Sequence, residues 1–252
     1  MPFTPTPDRL TPTLSPRQEL ALLARALWRE GYNDHLAGHI TVNRGDGTLW
    51  CNPWLLTWEE LRPEHVIAID LDGTVVEPSL DGHDWPVPLG IPLHLEMHRV
   101  RPEVQVAVHS HPLYATVWAD LAEVPPVLDQ SSALGGGSLV AVDEYDGAAN
   151  DSSAAAAAVQ LMGDADMALL AAHGVFVTGV SVRAAHQRCV ALEQRAERAW
   201  HARAIGEGPL RSRLGAAPAA AFAKSEGDGF IGFWEAAVRT ELRADPTLLD
   251  QG

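Results

Sequence analysis

Two histidines separated by one residue, His109 and His111 in AVHSHPLYATVW, close an apolar run and are followed at once by Pro112. Alternate side chains of an extended segment point the same way. This spacing therefore aims two imidazoles at one point, and a third from elsewhere completes a facial site for a divalent metal. The same pair at a strand end also works as ordinary polar residues bonded to backbone carbonyls. His173, in ALLAAHG, ends a second apolar run and precedes a glycine that admits close approach of backbone or ligand. Read alone, it is either a third ligand or a buried histidine bonded to backbone.

Such residues need a scaffold, and the chain is long enough to build one. Its 252 residues, 46% hydrophobic and 20% charged, match one large globular domain. A formal charge of −15 argues against a nucleic-acid or anionic-membrane partner, since those are held mainly through Lys and Arg. No apolar run reaches the roughly 20 residues that a bilayer span needs. With two distant cysteines, Cys51 and Cys189, and no signal-like start, the expected location is the reducing cytoplasm.

Residues 1–14, rich in Pro and Thr, read as an irregular arm. Ser15, Pro16 and Gln18 then form the start of a capped helix that Gly31 can end. HITVN, TLWCN, VIAIDL and TVVEP read as strands, with RGDG and DLDG as hairpin turns, which favours an antiparallel sheet. Pro92–Val100 has helical spacing, and VQVAVH reads as a buried strand that delivers His109, with a helix after His111. SSALGGGSLV reads as a turn-rich connection and DSSAAAAAVQLM as a helix capped by Asp151 or Ser152. MALLAAHGVFVTG reads as two buried strands meeting at His173-Gly174. The segment from Ser181 to Gly206 reads as a long amphipathic helix, and FIGFWEAAVRTEL as a final one after a linker near 207–220.

Over about residues 15–205 the chain resembles the class II aldolase/adducin family. Four ordered blocks carry the resemblance: AGHITV, PEHVIAIDLDG, PLHLEMHRVRPEVQVAVHSHP and ALLAAHGVFVTGVSVRAAHQRCVALE. It implies a three-layer α/β/α fold with a central, mainly antiparallel sheet. The domain would span 15–206, with 207–252 as a linker and helix packing on that domain or on a neighbouring subunit. It further implies that His109, His111 and His173 bind a catalytic divalent ion, Zn, Fe or Mn, and that the assembly is a homotetramer with sites at subunit interfaces.

The chain departs from the family pattern in two places. The acid, usually Glu, that family aldolases carry four residues before the His of the PLH block is replaced by Gly90, four residues before His94. The segments that hold a sugar phosphate read AGHIT and CNPWLLTW, with His39 in place of the usual Asn and Trp54 at a Ser-like position. The expected substrate is therefore a nonphosphorylated oxo or hydroxy acid, aromatic ones included, received by a pocket near Trp54, Trp58 and Trp118; each of these tryptophans is alternatively a core or interface residue. The expected chemistry is carbon–carbon lysis of decarboxylase or aldolase type through a metal-stabilised enolate. His94, His39 and Gln130 are the candidate catalytic residues, with Tyr114 and His186 further polar candidates and a helix-surface bond expected for His186. Glu96 and His98 are expected on a solvated helix face. An iron oxygenase that shortens aryl pyruvates and a nonenzymatic adducin-head-like module are the alternatives.

Overall fold

The computed structural model describes residues 3–32, 35–143, 151–206, 210–215 and 230–250. The arm from residue 3 to 15 contains only an isolated bridge between Thr6 and Arg9. Helix α1, Pro16–Arg29, begins as the sequence predicts: the Ser15 side chain accepts from Gln18 N while Gln18 caps the Ser15 amide in return.

Eight strands form one sheet: β1 His39–Asn43, β2 Thr48–Cys51, β3 Ile67–Asp70, β4 Val75–Glu77, β5 Val106–Ser110, β6 Leu139–Val142, β7 Met167–Leu170 and β8 Gly174–Gly179. Their order is β4-β3-β2-β1-β5-β8-β7-β6. Every pairing is antiparallel except β6 with β7. The remaining helices among the described residues are α2 Ile91–Val100, α3 Leu113–Asp120, α4 Gln130–Ala133, α5 Ser152–Met162, α6 Val182–Ile205 and α7 Phe233–Ala244. Among the described residues a 3-10 turn covers Pro63–His65. The turn-rich connection expected over SSALGGGSLV is confined to residues 134–138: Asp129 caps α4 before it, and β6 after it is held by pairing with β7, a partner remote in the chain.

Strand alternation sorts the side chains into two layers. On one face Ile40, Val106, Val108, Val175, Val177 and Leu169 pack on α1, α3, α6 and α7. On the other, Ala107, Phe176, Ala168 and Leu170 meet Leu93 and Met97 of α2 and Ala155, Ala158, Val159 and Met162 of α5. The architecture is thus the three-layer α/β/α arrangement with a mainly antiparallel sheet. Helix α7 lies on α1 and α6 of its own chain. Trp234, Val238 and Leu242 enter the core, while Glu241, 1% exposed, binds Arg25 and Arg29. Part of the linker expected near 207–220 lies outside the described residues. Among the described residues no helix is long and apolar enough to cross a membrane.

The tight packing overturns the surface expectations for His98 and His186 and decides the open alternatives for Trp58 and Trp118 in favour of the core. His98 is buried, because α2 turns it with His94 onto the sheet. His186 is buried against Trp234 with neither ring nitrogen hydrogen-bonded, because α7 covers that stretch of α6. Trp58 fills the core beneath Gly38, where a Cβ would lie 2.5 Å from its ring, and donates Nε1–H to the Gly38 carbonyl. Trp118 is 1% exposed, donates to the Ala196 carbonyl and carries the Arg203 guanidinium over its ring. Large aromatic rings bury more apolar area than the other side chains, and these two go to the core.

Candidate metal centre

Three connections converge at one end of the sheet. Strand β5 ends with His109 and Ser110, and His111 follows before Pro112 enters α3. The β7–β8 turn brings in His173, whose amide donates to the Leu170 carbonyl, and it runs through Ala172 at φ 51°. A left-handed non-glycine residue costs roughly 1–2 kcal/mol, and such strain gathers where a functional side chain must be aimed. Register places His39 of β1 opposite His109 and His109 opposite Phe176 of β8.

The nitrogens His109 Nε2 and His173 Nε2 lie 3.1 Å apart, and His111 Nε2 and His173 Nε2 3.4 Å apart. One ligand nitrogen from each of the three residues lies within 4.8 Å of the others. Nitrogens bound to zinc at about 2.05 Å in a tetrahedron stand about 3.3 Å apart, so the cluster has the dimensions of a metal centre. The tautomer also fits: His109 Nδ1–H donates to the Val175 carbonyl at 2.9 Å, leaving Nε2 with its lone pair toward the cluster. Burial and the neighbouring histidines hold His109 well below the usual imidazole range, as a neutral ligand must be.

Two glycines make this approach possible. A Cβ at Gly174 would lie 2.2 Å from His111 Cδ2 and 2.7 Å from the Ser110 carbonyl oxygen. A Cβ at Gly90 would lie 2.2 Å from His39 Cε1. His39 is buried, its ring 5.3 Å from that of His109, 5.9 Å from that of His94 and 6.4 Å from that of Trp54. Burial, reinforced by the nearby His111 and His173, pushes its pKa down to about 3. His94 is deeper still. Its Nδ1 and the Nε2 of His98 both meet Thr41 Oγ1 at 2.9 Å, and its ring stands edge-on to Phe176. Burial keeps it neutral as well.

Gln130 stands apart, exposed at the start of α4 in a hollow with Leu128, Asp129, Ser131, Arg198, Arg213 and Leu214. Tyr114 lies on α3 with its ring between Trp200 and His201. Glu96 is half-buried and paired with Arg99.

Three supporting residues escaped sequence reading because their partners are remote in the chain. Thr41 joins the two α2 histidines. Asn52 accepts from the Ile40 amide at 2.7 Å, fixing the start of β1. Glu193 of α6 accepts from the Tyr114 and Ala115 amides at 2.8 and 2.9 Å, capping α3 just after the His-x-His pair. Burial raises the Glu193 pKa and those two amides lower it. Replacing Glu193 by Ala leaves both amides without their partner and should cost about 1–3 kcal/mol, read as a lower urea midpoint at unchanged slope.

A model of the class II aldolase and adducin N-terminal domain matches residues 18–200. The chain belongs to the class II aldolase and adducin family. It is 32% identical over 193 residues to the 5-methylthioribulose-1-phosphate/5-deoxyribulose-1-phosphate aldolase of Rhodospirillum rubrum, covering 76% of this chain and 83% of that one. It is 29% identical over 188 residues to the 3,4-dihydroxyphthalate decarboxylase of Arthrobacter keyseri, covering 70% and 74%. An aldolase II superfamily protein from Pseudomonas syringae superposes with a TM-score of 0.79 at 24% identity, covering 93% and 97%, and so shares the fold.

Proposed function

We propose that this member of the family is a metal-dependent carbon–carbon lyase, of decarboxylase or aldolase type, acting on a nonphosphorylated oxo or hydroxy acid, aromatic ones included. The observation that carries the reading is the convergence of His109, His111 and His173 beside a helix start, Gly90, that presents no side chain. His109, His111 and His173 would hold the ion, zinc, iron or manganese. When bound there, a divalent cation supplies a Lewis acid that polarises a substrate carbonyl and offsets the negative charge built up as the neighbouring carbon–carbon bond breaks.

Retro-aldol cleavage needs a base for the hydroxyl proton, whereas decarboxylation needs mainly a later proton donor. A site with glycine in the acid's position suits the second inventory better, and the relative named as a decarboxylase supports it. The relative named as a sugar-phosphate aldolase supports aldol chemistry in the family. In this chain, however, His39 stands beside His109 with the Trp54 ring 6.4 Å from its own, an imidazole and an aromatic ring in place of small phosphate donors. His94 is sealed beneath the sheet face, so of the two candidate histidines His39 is the one able to meet substrate. Its neutral ring gives one donor and one acceptor without adding charge. Both cysteines are free and buried, in keeping with a reducing compartment. Exposed Ile205, Ile231 and Phe233 are apolar surface of the kind that a homotetramer would cover.

The test is metal analysis of protein purified without chelators, coupled to carbon dioxide release and oxygen uptake across aromatic 2-oxo and 2-hydroxy acids. The expected result is one divalent ion per chain and carbon dioxide release without oxygen consumption, lost on chelation. Absence of metal sinks the reading. Substrate-dependent oxygen uptake with bound iron replaces it by an oxygenase, and faster cleavage of a sugar phosphate overturns the substrate class.

A further inference from the structure

Gly90 has φ −82° and ψ 10°, a conformation open to any L-residue. Glycine is therefore not required there by the backbone. It is required by space: an added Cβ would stand 2.2 Å from His39 Cε1, 2.8 Å from Nδ1 and 3.3 Å from Nε2. The ring has little room to retreat, with His109, His94 and Trp54 against it. His39 thus fills the volume in which any side chain on Gly90 would begin. Its Nδ1 is buried without a hydrogen-bond partner, a condition that costs about 1–3 kcal/mol and persists where a polar group is kept for a ligand.

We propose that His39 and Gly90 are a matched pair: the missing side chain at 90 seats the His39 imidazole beside the three-histidine cluster, where it hydrogen-bonds an oxygen of a bound 2-oxo or 2-hydroxy acid. This rests on the metal-dependent reading above. A carboxylate with an adjacent carbonyl or hydroxyl chelates a cation through the positions that three protein ligands leave open. The ring then orients the acid without competing for the ion. His39 is the substrate-contacting residue, and Gly90 is a positioning residue that acts through it.

The experiment compares wild type, His39→Ala, Gly90→Ala and the double variant His39→Ala/Gly90→Ala as full-length protein. It reads zinc content, thermal midpoint and the affinity of the zinc-loaded protein for phenylpyruvate by calorimetry. Gly90→Ala is expected to lower the midpoint by about 5 °C, as overpacking of a core of this size does, and to weaken phenylpyruvate at least tenfold with zinc retained. His39→Ala is expected to weaken phenylpyruvate as much while keeping zinc. Adding Gly90→Ala to His39→Ala should then cost no further stability, because the ring it would strike is gone. Wild-type stability and affinity in Gly90→Ala overturn the pair, and unchanged phenylpyruvate binding in His39→Ala overturns the contact. Zinc-loaded wild type that does not bind phenylpyruvate overturns the contact alone. Wild type that takes up no zinc overturns the metal reading and the contact with it, while the midpoints of the four proteins still report the steric pairing.

Discussion

His173→Ala is expected to abolish stoichiometric metal binding while leaving the fold in place. His173 sits on the β7–β8 turn and is only half-buried, so its loss opens no large core cavity. It does, however, stand within 3.1 and 3.4 Å of the other two ligand nitrogens. Two imidazoles on one segment bind a divalent ion weakly, and in the proposed site the third ligand comes from a separate hairpin. The expected outcome is a drop from one ion per chain to less than about a tenth, with a far-ultraviolet dichroism spectrum like that of wild type. The thermal midpoint of metal-free variant and metal-free wild type should agree within a few degrees, while added zinc raises only the wild-type midpoint, as ligand binding to the native state requires. Zinc retained by the purified variant would show that the ion is held elsewhere.

The second large effect is on acid stability, through His186. Burial lowers its pKa to about 4, against a small opposing influence from Glu235. A histidine whose folded pKa is depressed contributes its stability above the unfolded value, near 6.5. That stability disappears as pH falls toward 4, because only the unfolded chain takes up the proton easily. Two and a half pH units correspond to about 3 kcal/mol for this one residue. His186→Leu removes both the proton uptake and two buried nitrogens that have no partner. The variant should therefore be at least as stable as wild type at pH 7.5 and lose about 3 kcal/mol less between pH 6.5 and 4, measured by urea unfolding of metal-free protein at each pH. Parallel decline of the two proteins would mean that His186 is hydrated in solution. His98, also near 4 by burial, steepens the same limb in both proteins and so leaves the difference untouched.

Neither effect could be sized from the sequence, although its starting residues were visible there. The His-x-His spacing is a local property of a strand, and the capping box of Ser15 and Gln18, the hairpin turns and the apolar period of each strand are local too. Local patterns were enough to suggest an antiparallel sheet and the His-x-His pair, and the resemblance carried by four ordered motif blocks implied its layers and the three metal-binding candidates. What they could not supply was neighbourhood. Trp58 and Trp118 read as either pocket or core aromatics, and His98 and His186 as surface groups, because amphipathic spacing says which residues share a face and not what covers that face. Helix α7 covers His186, and the sheet covers His98.

The sequence by itself therefore determined most of the elements, since each depends on contacts within a few residues, and its resemblance to a family supplied the fold class and singled out His109, His111 and His173; it missed α4 and β6, which are short and flank a glycine run. Only the tertiary structure decided that β5 and the β7–β8 turn bring those histidines to one point, and that Glu193, Asn52 and Thr41 hold the surrounding backbone and rings. It also gave Gly90 a meaning the chain could not. In sequence Gly90 is a missing acid, whereas in space it is the seat of the His39 ring, and residues 39 and 90 meet only because α2 packs across the start of β1.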